Sequence, residues 1–195
     1  MSYQTYITSA IVLGSFESAT ADKSYRLFTE RAGMLFASAR SVREERSKQR
    51  YALQDFSLIS VTLVRGKTGW RIGSVEAKEN FFMQATTRTT RGSIVKLCKV
   101  LRRYVHGEEP LPSLYTEFVE AIRLVSRPDL PARECYEMCL IVRLLTHLGY
   151  VAPSASLAPL CLCPVGELDT AAVEAAHEDF LAAYGVAQAV THLEQ

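Results

Sequence analysis

What most constrains this chain is a change of hydrophobic period partway along it. Through roughly the first eighty residues, apolar and polar side chains alternate in runs of strand length; beyond "ATTRTTRGS" (85–93), apolar residues recur at helical spacing. In Tyr6–Ser18 an apolar run is bounded by Gly14 and a polar turn. Lys23–Arg31 alternates Tyr25 and Leu27 with charged neighbours, and Gly33–Val42 sets Leu35, Ala37 and Ala39 against Phe36, Ser38 and Arg40. Farther on, Ile59, Val61 and Leu63 take one face while Phe56, Leu58, Ser60 and Thr62 take the other. "RGKTG" (65–69) reads as a hairpin turn, with Trp70 and Ile72 opening the return strand. Five short antiparallel strands in so few residues predict a small closed barrel, because closure leaves no unpaired edge.

After the change, Ser93 reads as a helix N-cap. Ile94, Leu97, Cys98, Leu101 and Val105 share one face behind it, with Lys96, Lys99 and Arg103 on the other. "HGEEPLP" (106–112) ends that helix. Further helices are expected over 113–125, 132–147 and 170–184, with a stop at "HLGY" (147–150). The expected plan is α+β: a barrel over residues 1–80, then a linker helix and a helical domain over 81–195.

Composition narrows the class of protein. An apolar share of 48% excludes wholesale disorder. No apolar run approaches the roughly 18 to 20 residues that span a bilayer. The N-terminal residues lack the basic region and cleavage site of a secretory signal, so a cytoplasmic protein without membrane association is expected. Five cysteines in no regular framework fit a reducing compartment. The net charge of +1 conceals a division: residues 1–107 carry 18 Lys/Arg against 8 Asp/Glu, net +10, and residues 108–195 carry 4 against 13, net −9. A split of that size points to a polyanionic partner for the first half.

Catalytic chemistry is not evident. "RGKTG" contains Gly-Lys-Thr, but a phosphate-binding loop needs a further glycine where Val61 stands, and must lead into a helix rather than a strand. His106, His147, His177 and His192 sit singly, away from any nucleophile setting, and the acid pairs Glu44/Glu45 and Glu108/Glu109 read as solvated turns. Cys135, Cys139, Cys161 and Cys163 could in principle hold zinc, but their flanks are apolar, as for thiols that fill a core. No catalytic residue, metal or cofactor is assigned, and the chain is not expected to be an enzyme.

The order of features resembles a known family. The strand at Ala10–Leu13, Asp22 ahead of "LFTERAG" (Leu27–Gly33), the small-residue strand running into a basic loop over Ala37–Arg50, and "LQDFS" (Leu53–Ser57) follow the N-terminal pattern of the bacterial recombination mediator RecO. "RLLTHLGYVAP" (Arg143–Pro153) looks like that family's helix end. The resemblance is strongest over 7–75 and 141–153. It implies an OB-fold barrel followed by a helical domain, without enzymatic activity. It also implies binding of single- and double-stranded DNA, annealing of complementary strands, and contacts with RecR and the single-strand-binding protein to load a recombinase. Many members carry paired C-x-x-C zinc ligands after "LGYxP"; here Cys161 and Cys163 are the only cysteines in that region, and the chain is shorter than a typical member.

The candidate DNA-binding residues follow from both readings. "RSVREERSKQR" packs Arg40, Arg43, Arg46, Lys48 and Arg50 into eleven residues on a loop expected at the barrel rim. Arg65, Lys67 and Arg71 cluster on the hairpin. Arg88 and Arg91, interleaved with Thr86, Thr87, Thr89 and Thr90, and then Lys96, Lys99, Arg102 and Arg103 on the linker helix, would prolong the track, with the threonines donating to phosphates. Tyr25, Phe36, Tyr51 and Trp70 are expected in the core rather than as platforms for bases. The competing reading has these arginines paired with the acidic half, in a protein-interaction adaptor that binds no nucleic acid.

Overall fold

The computed structural model describes residues 4–17, 22–40, 42, 47, 49–67 and 69–190, which fall into two compact units. The first comprises Met1–Gln84 and His106–Tyr115; the second, Ala85–Val105 and Thr116–Gln195.

In the first unit, strands β1 (Gln4–Glu17), β2 (Lys23–Thr29), β3 (Gly33–Ala39), β4 (Ser57–Gly66) and β5 (Gly69–Asn80) close a barrel in the order β1-β2-β3-β5-β4. All neighbours are antiparallel except β3 and β5, which pair in parallel through Ala37 with Trp70 and Ser38 with Arg71. This is the OB-fold arrangement. Helix α1 (Gln49–Ala52) lies in the β3–β4 connection, and α2 (Phe81–Gln84) follows β5. The expected alternation holds: Leu35, Ala37, Ala39, Ile59, Val61, Leu63, Trp70 and Ile72 are buried in one cluster with Val12, Tyr25 and Leu27. Trp70 meets Tyr6 edge-on, with ring centroids 5.3 Å apart.

The stretch "LFTERAG" is the β2–β3 turn. Thr29 is fully buried; its hydroxyl accepts from the Ala32 N–H at 3.0 Å and donates to the Gly33 carbonyl at 2.9 Å. Gly33 holds φ at +61°, and a Cβ there would stand 2.2 Å from the Glu109 carbonyl oxygen. The Met34 N–H donates to the Gly107 carbonyl at 2.9 Å, so residues 106–115 are held directly against the turn.

The second unit contains α3 (Arg88–Tyr104), the greater part of α4 (Pro112–Val125), α5 (Arg133–His147), α6 (Ala158–Leu162), α7 (Thr170–Ala175) and α8 (His177–Val190). Helix α3 starts five residues before Ser93, capped by Thr87, whose hydroxyl accepts from the Thr90 N–H while the Thr90 hydroxyl accepts from the Thr87 N–H. Ser93 instead lies buried inside the helix, bonded to the Thr89 carbonyl and to Glu137. The expected helix over 170–184 is two helices parted at Ala176, a break marked by neither glycine nor proline. At "HLGY", Gly149 takes φ +77°; the Tyr150 N–H bonds the Leu145 carbonyl and the Gly149 N–H bonds that of Thr146, a Schellman end for α5. No helix among the described residues is long and apolar enough to cross a membrane.

Helix α5 is the buried spine of this unit, and its Arg143 is 3% exposed. Its Nε donates to Glu117 Oε1 on α4 at 2.7 Å, Nη2 to the Cys163 carbonyl at 2.7 Å, and Nη1 to the Leu160 carbonyl. The other Glu117 oxygen receives His147 Nε2 at 2.6 Å. A buried charge so fully matched is costly to break on one side only.

Three substitutions test these contacts by urea unfolding. Gly33→Ala should cost more than about 2 kcal/mol, combining left-handed backbone strain with a clash against a backbone oxygen. Gly92→Ala, in the middle of α3 with nothing within 4 Å of the added methyl, should stabilise by about 0.5 to 1 kcal/mol. Arg143→Ala should cost about 3 to 5 kcal/mol, because Glu117 is left with His147 alone and the carbonyls of Leu160 and Cys163 lose their donor.

Candidate nucleic-acid interface

On the barrel, Arg40 ends β3, Arg50 sits on α1, Lys67 occupies the β4–β5 turn and Arg71 points outward from β5; all four are exposed. Arg43, Arg46 and Lys48, with Glu44 and Glu45, lie outside the described residues. Arg40, Lys67 and Arg71 form no ion pair with any described residue. Arg65 differs: its Nη1 donates to Glu108 Oε2 at 2.7 Å, and its guanidinium lies 5.0 Å from the Trp70 ring centroid. With side-chain exposures of 53% and 44%, that pair is worth at most about 1 kcal/mol and would yield readily to a phosphate. The Arg50 guanidinium lies 5.2 Å from the Tyr51 ring centroid. A cleft beside it is lined by Lys23 and Arg50 but also by Glu17 and Asp55. Burial, with Asp55 adding to it, pushes the Tyr25 hydroxyl up there. Mixed charge makes this cleft a poor phosphate channel.

The aromatic expectations divide. Tyr25 and Trp70 are in the core, as expected. Phe36 is 52% exposed and Tyr51 63% exposed, and Tyr51 lies on α1 rather than on a strand. Both stand outside the core because they fall out of phase with the inward positions. The signal was present in the sequence, since Phe36 alternates with the buried Leu35 and Ala37. Phe16, also exposed, and Arg26 beside it were not singled out by their sequence context.

In the helical unit, α3 carries Arg88, Arg91, Lys96, Lys99, Arg102 and Arg103 and no acidic residue. At 100° per residue these six fall within one arc, opposite Ile94, Leu97, Leu101 and Tyr104 on the buried face. Lys96 Nζ bonds Glu137 Oε2 at 2.9 Å, so it is partly neutralised. Thr87 and Thr90 serve as the cap, which withdraws them from phosphate contact; Thr86 and Thr89 are exposed.

The structure redraws the charge division. The barrel unit carries 12 Lys/Arg and 10 Asp/Glu, net +2; the helical unit carries 10 and 11, net −1. The contrast seen along the sequence is therefore local to α3 and the exposed barrel cations, rather than a difference between two bodies.

Cys139 and Cys161 are buried, as core-filling thiols are, whereas Cys135 and Cys163 are only partly buried. Burial pushes Cys139 up to about 12, and burial also raises Cys161 and Cys135. The Arg143 guanidinium lies 3.8 Å from Cys163 Sγ, a position that opposes a metal cation among these thiols. Among the described residues, no group of three or more His, Cys, Asp and Glu is arranged to hold a metal ion.

Comparison with known proteins places the barrel. Residues 1–81 match the family model described as Recombination protein O N terminal. Two proteins named DNA repair protein RecO, from two strains of Desulfitobacterium hafniense, are 26% identical over 145 residues, covering 74% of this chain and 52% of their own. A third of that name, from Clostridium novyi, is 25% identical over 145 residues, covering 73% of this chain and 56% of its own. The chain spans about half the length of the curated relatives it matches.

The thiols offer a check on the helical unit. Cys139 keeps its proton to about pH 12 when folded but loses it near 9 when unfolded, so its contribution is fully present below pH 9 and is lost as the pH rises toward 12. Denaturation midpoints should fall across that window, and Cys139→Ser should fall less steeply. Equal slopes for the two proteins would show that this thiol is not protected.

Proposed function

We propose, from the match of residues 1–81 to the family model described as Recombination protein O N terminal and the likeness to proteins named DNA repair protein RecO, that the chain is a RecO-family member and a non-enzymatic DNA-binding protein of recombinational repair. It binds single-stranded DNA, anneals complementary strands, and helps load a recombinase together with RecR and the single-strand-binding protein. Double-stranded DNA is a further ligand of the same cations. The observation that carries this reading is the OB barrel whose exposed Arg40, Lys67 and Arg71 have no carboxylate partner among the described residues. Such a surface attracts phosphates without sequence preference. Arg50 and the α3 stripe extend the cationic set, and Arg43, Arg46 and Lys48 belong to the same proposal by sequence.

A second reading, an adaptor without nucleic-acid binding, draws on an apolar groove in the helical unit. Tyr150, Val151, Leu157 and Val186 line it, and Val186 is 64% exposed. Under the first reading that groove is a candidate contact for a protein partner.

Fluorescence anisotropy with labelled single-stranded DNA separates the two. If about four cations meet phosphates, the logarithmic salt slope should be near −3, so affinity should fall by tens of fold between about 50 and 200 mM salt. The reversals Arg40→Glu, Lys67→Glu and Arg71→Glu should flatten the slope by about 0.7 for each phosphate that the protein no longer neutralises, with melting unchanged. Lys99→Glu with Arg103→Glu tests α3 in the same way. Absence of binding at low salt would favour the adaptor; binding followed by strand annealing without ATP would support the mediator.

A further inference from the structure

The exposed cations leave one feature of the barrel without a purpose. Phe16 and Phe36 are 51% and 52% exposed on the outward face, with ring centroids 6.0 Å apart and tilted by 54°. The Arg26 guanidinium lies 5.0 Å from the Phe36 centroid and 5.7 Å from that of Phe16, so it braces both rings. Single exposed apolar residues are ordinary, but two phenylalanines held around one arginine on a sheet face are not scattered exposure.

Strand register shows why the rings stay open. One row across the sheet runs Gly14, Arg26, Phe36; the next runs Phe16, Ser24, Ser38, Arg71. Gly14 places no side chain beside Arg26. Two serines form low ground between Phe16 and Arg71, and the only side chain beside Phe36 in its row is Arg26, which braces the ring on one side and leaves it half exposed. Arg71 closes one end of this surface, and Arg40 lies two residues beyond Ser38 on the same strand direction. Glu17, the nearby acid on β1, is placed opposite Lys23 by the register.

We propose that Phe16 and Phe36, braced by Arg26, form a stacking platform for the unpaired bases of a single-stranded nucleic acid, with Arg71 and Arg40 beside them meeting its phosphates. The inference rests on the DNA-binding reading above and deepens it by naming the residues that would receive the unpaired bases. A duplex hides its base faces within the stack, whereas a single strand can lay them on a ring. The neighbouring cations select a polyanion over an apolar peptide. Stacking tolerates any base, as a protein acting without sequence preference needs.

The test compares, by anisotropy with the full chain, a labelled oligothymidylate and an abasic deoxyribose-phosphate strand of equal length. The unaltered protein should bind the base-bearing strand roughly ten-fold or more tightly. Phe16→Ala with Phe36→Ala should reduce that affinity to the abasic level while leaving the salt slope intact. Phe16→Leu with Phe36→Leu keeps apolar bulk without a ring and should lose the preference likewise, which removes misfolding as an explanation. Phe16→Tyr with Phe36→Tyr should retain it. Equal binding of both strands by the unaltered protein, with a steep salt slope, would overturn the platform and leave the DNA-binding reading standing. A preference that survives the leucine pair would also overturn it. Binding to neither strand at low salt would remove both.

Discussion

Two residue pairs close the barrel, Ala37 with Trp70 and Ser38 with Arg71. Until β5 reaches β3, the sheet has two open edges and its inward side chains have no opposite wall. Once the pairs form, Trp70 turns in toward Tyr6 and Arg71 turns out beside Ser38. Period-two alternation then sets which side chains face the interior, with bulges at Val12/Gly14, Leu58/Ile59 and Val61/Leu63 shifting its phase. The positions of Phe36, Arg26 and Phe16 on the outer face follow from the same closure, through the β1–β2–β3 register. Helix α1 falls in the connection between β3 and β4, outside the sheet.

Charge shows how far linear order can mislead. A cut at residue 107 divides the sequence into a strongly cationic and a strongly anionic half, yet each folded unit is close to neutral. The difference arises because Glu108 and Glu109 return to the barrel, while the six cations of α3 belong to the helical unit with the other 11 acids of the second half. What remains is local: an acid-free helix face and a few outward barrel cations. Local fields of that kind steer and bind a polyanion without requiring a charged body.

The strands were legible because both faces obey one rule, and a residue such as Phe36 was legible for the same reason, although its type suggested the core. Helix starts were less so. Thr87 and Ser93 are both small hydroxyl residues ahead of apolar periodicity, and only the bonds they make distinguish a cap from an interior residue. The break at Ala176 has no marker in residue type. Pairs formed across long separations were invisible: Arg65 with Glu108, Lys96 with Glu137, and Arg143 with Glu117. Two of these, Arg65 with Glu108 and Lys96 with Glu137, involve candidate DNA contacts paired with acids of the second half, as the competing reading expected for the arginines. Their carboxylates lower the effective number of cations below a simple count of arginines and lysines.

The proposed phosphate contacts and base stacking would divide the work in a way that suits annealing. Under the proposed reading, cations would hold the backbone and aromatic rings the base faces, so neither would engage the hydrogen-bonding edges that a complementary strand must read. Stacking on a ring competes with stacking inside a duplex, so each base must be released as pairing advances. At about 1 to 3 kcal/mol per base, a two-ring platform is strong enough to extend a strand and weak enough to yield it. A surface of arginines alone would hold single strand and duplex by the same term and could not favour the exchange. In the proposed platform, the half-open rings of Phe16 and Phe36 would add a term that only the unpaired strand can satisfy. It vanishes as the product forms.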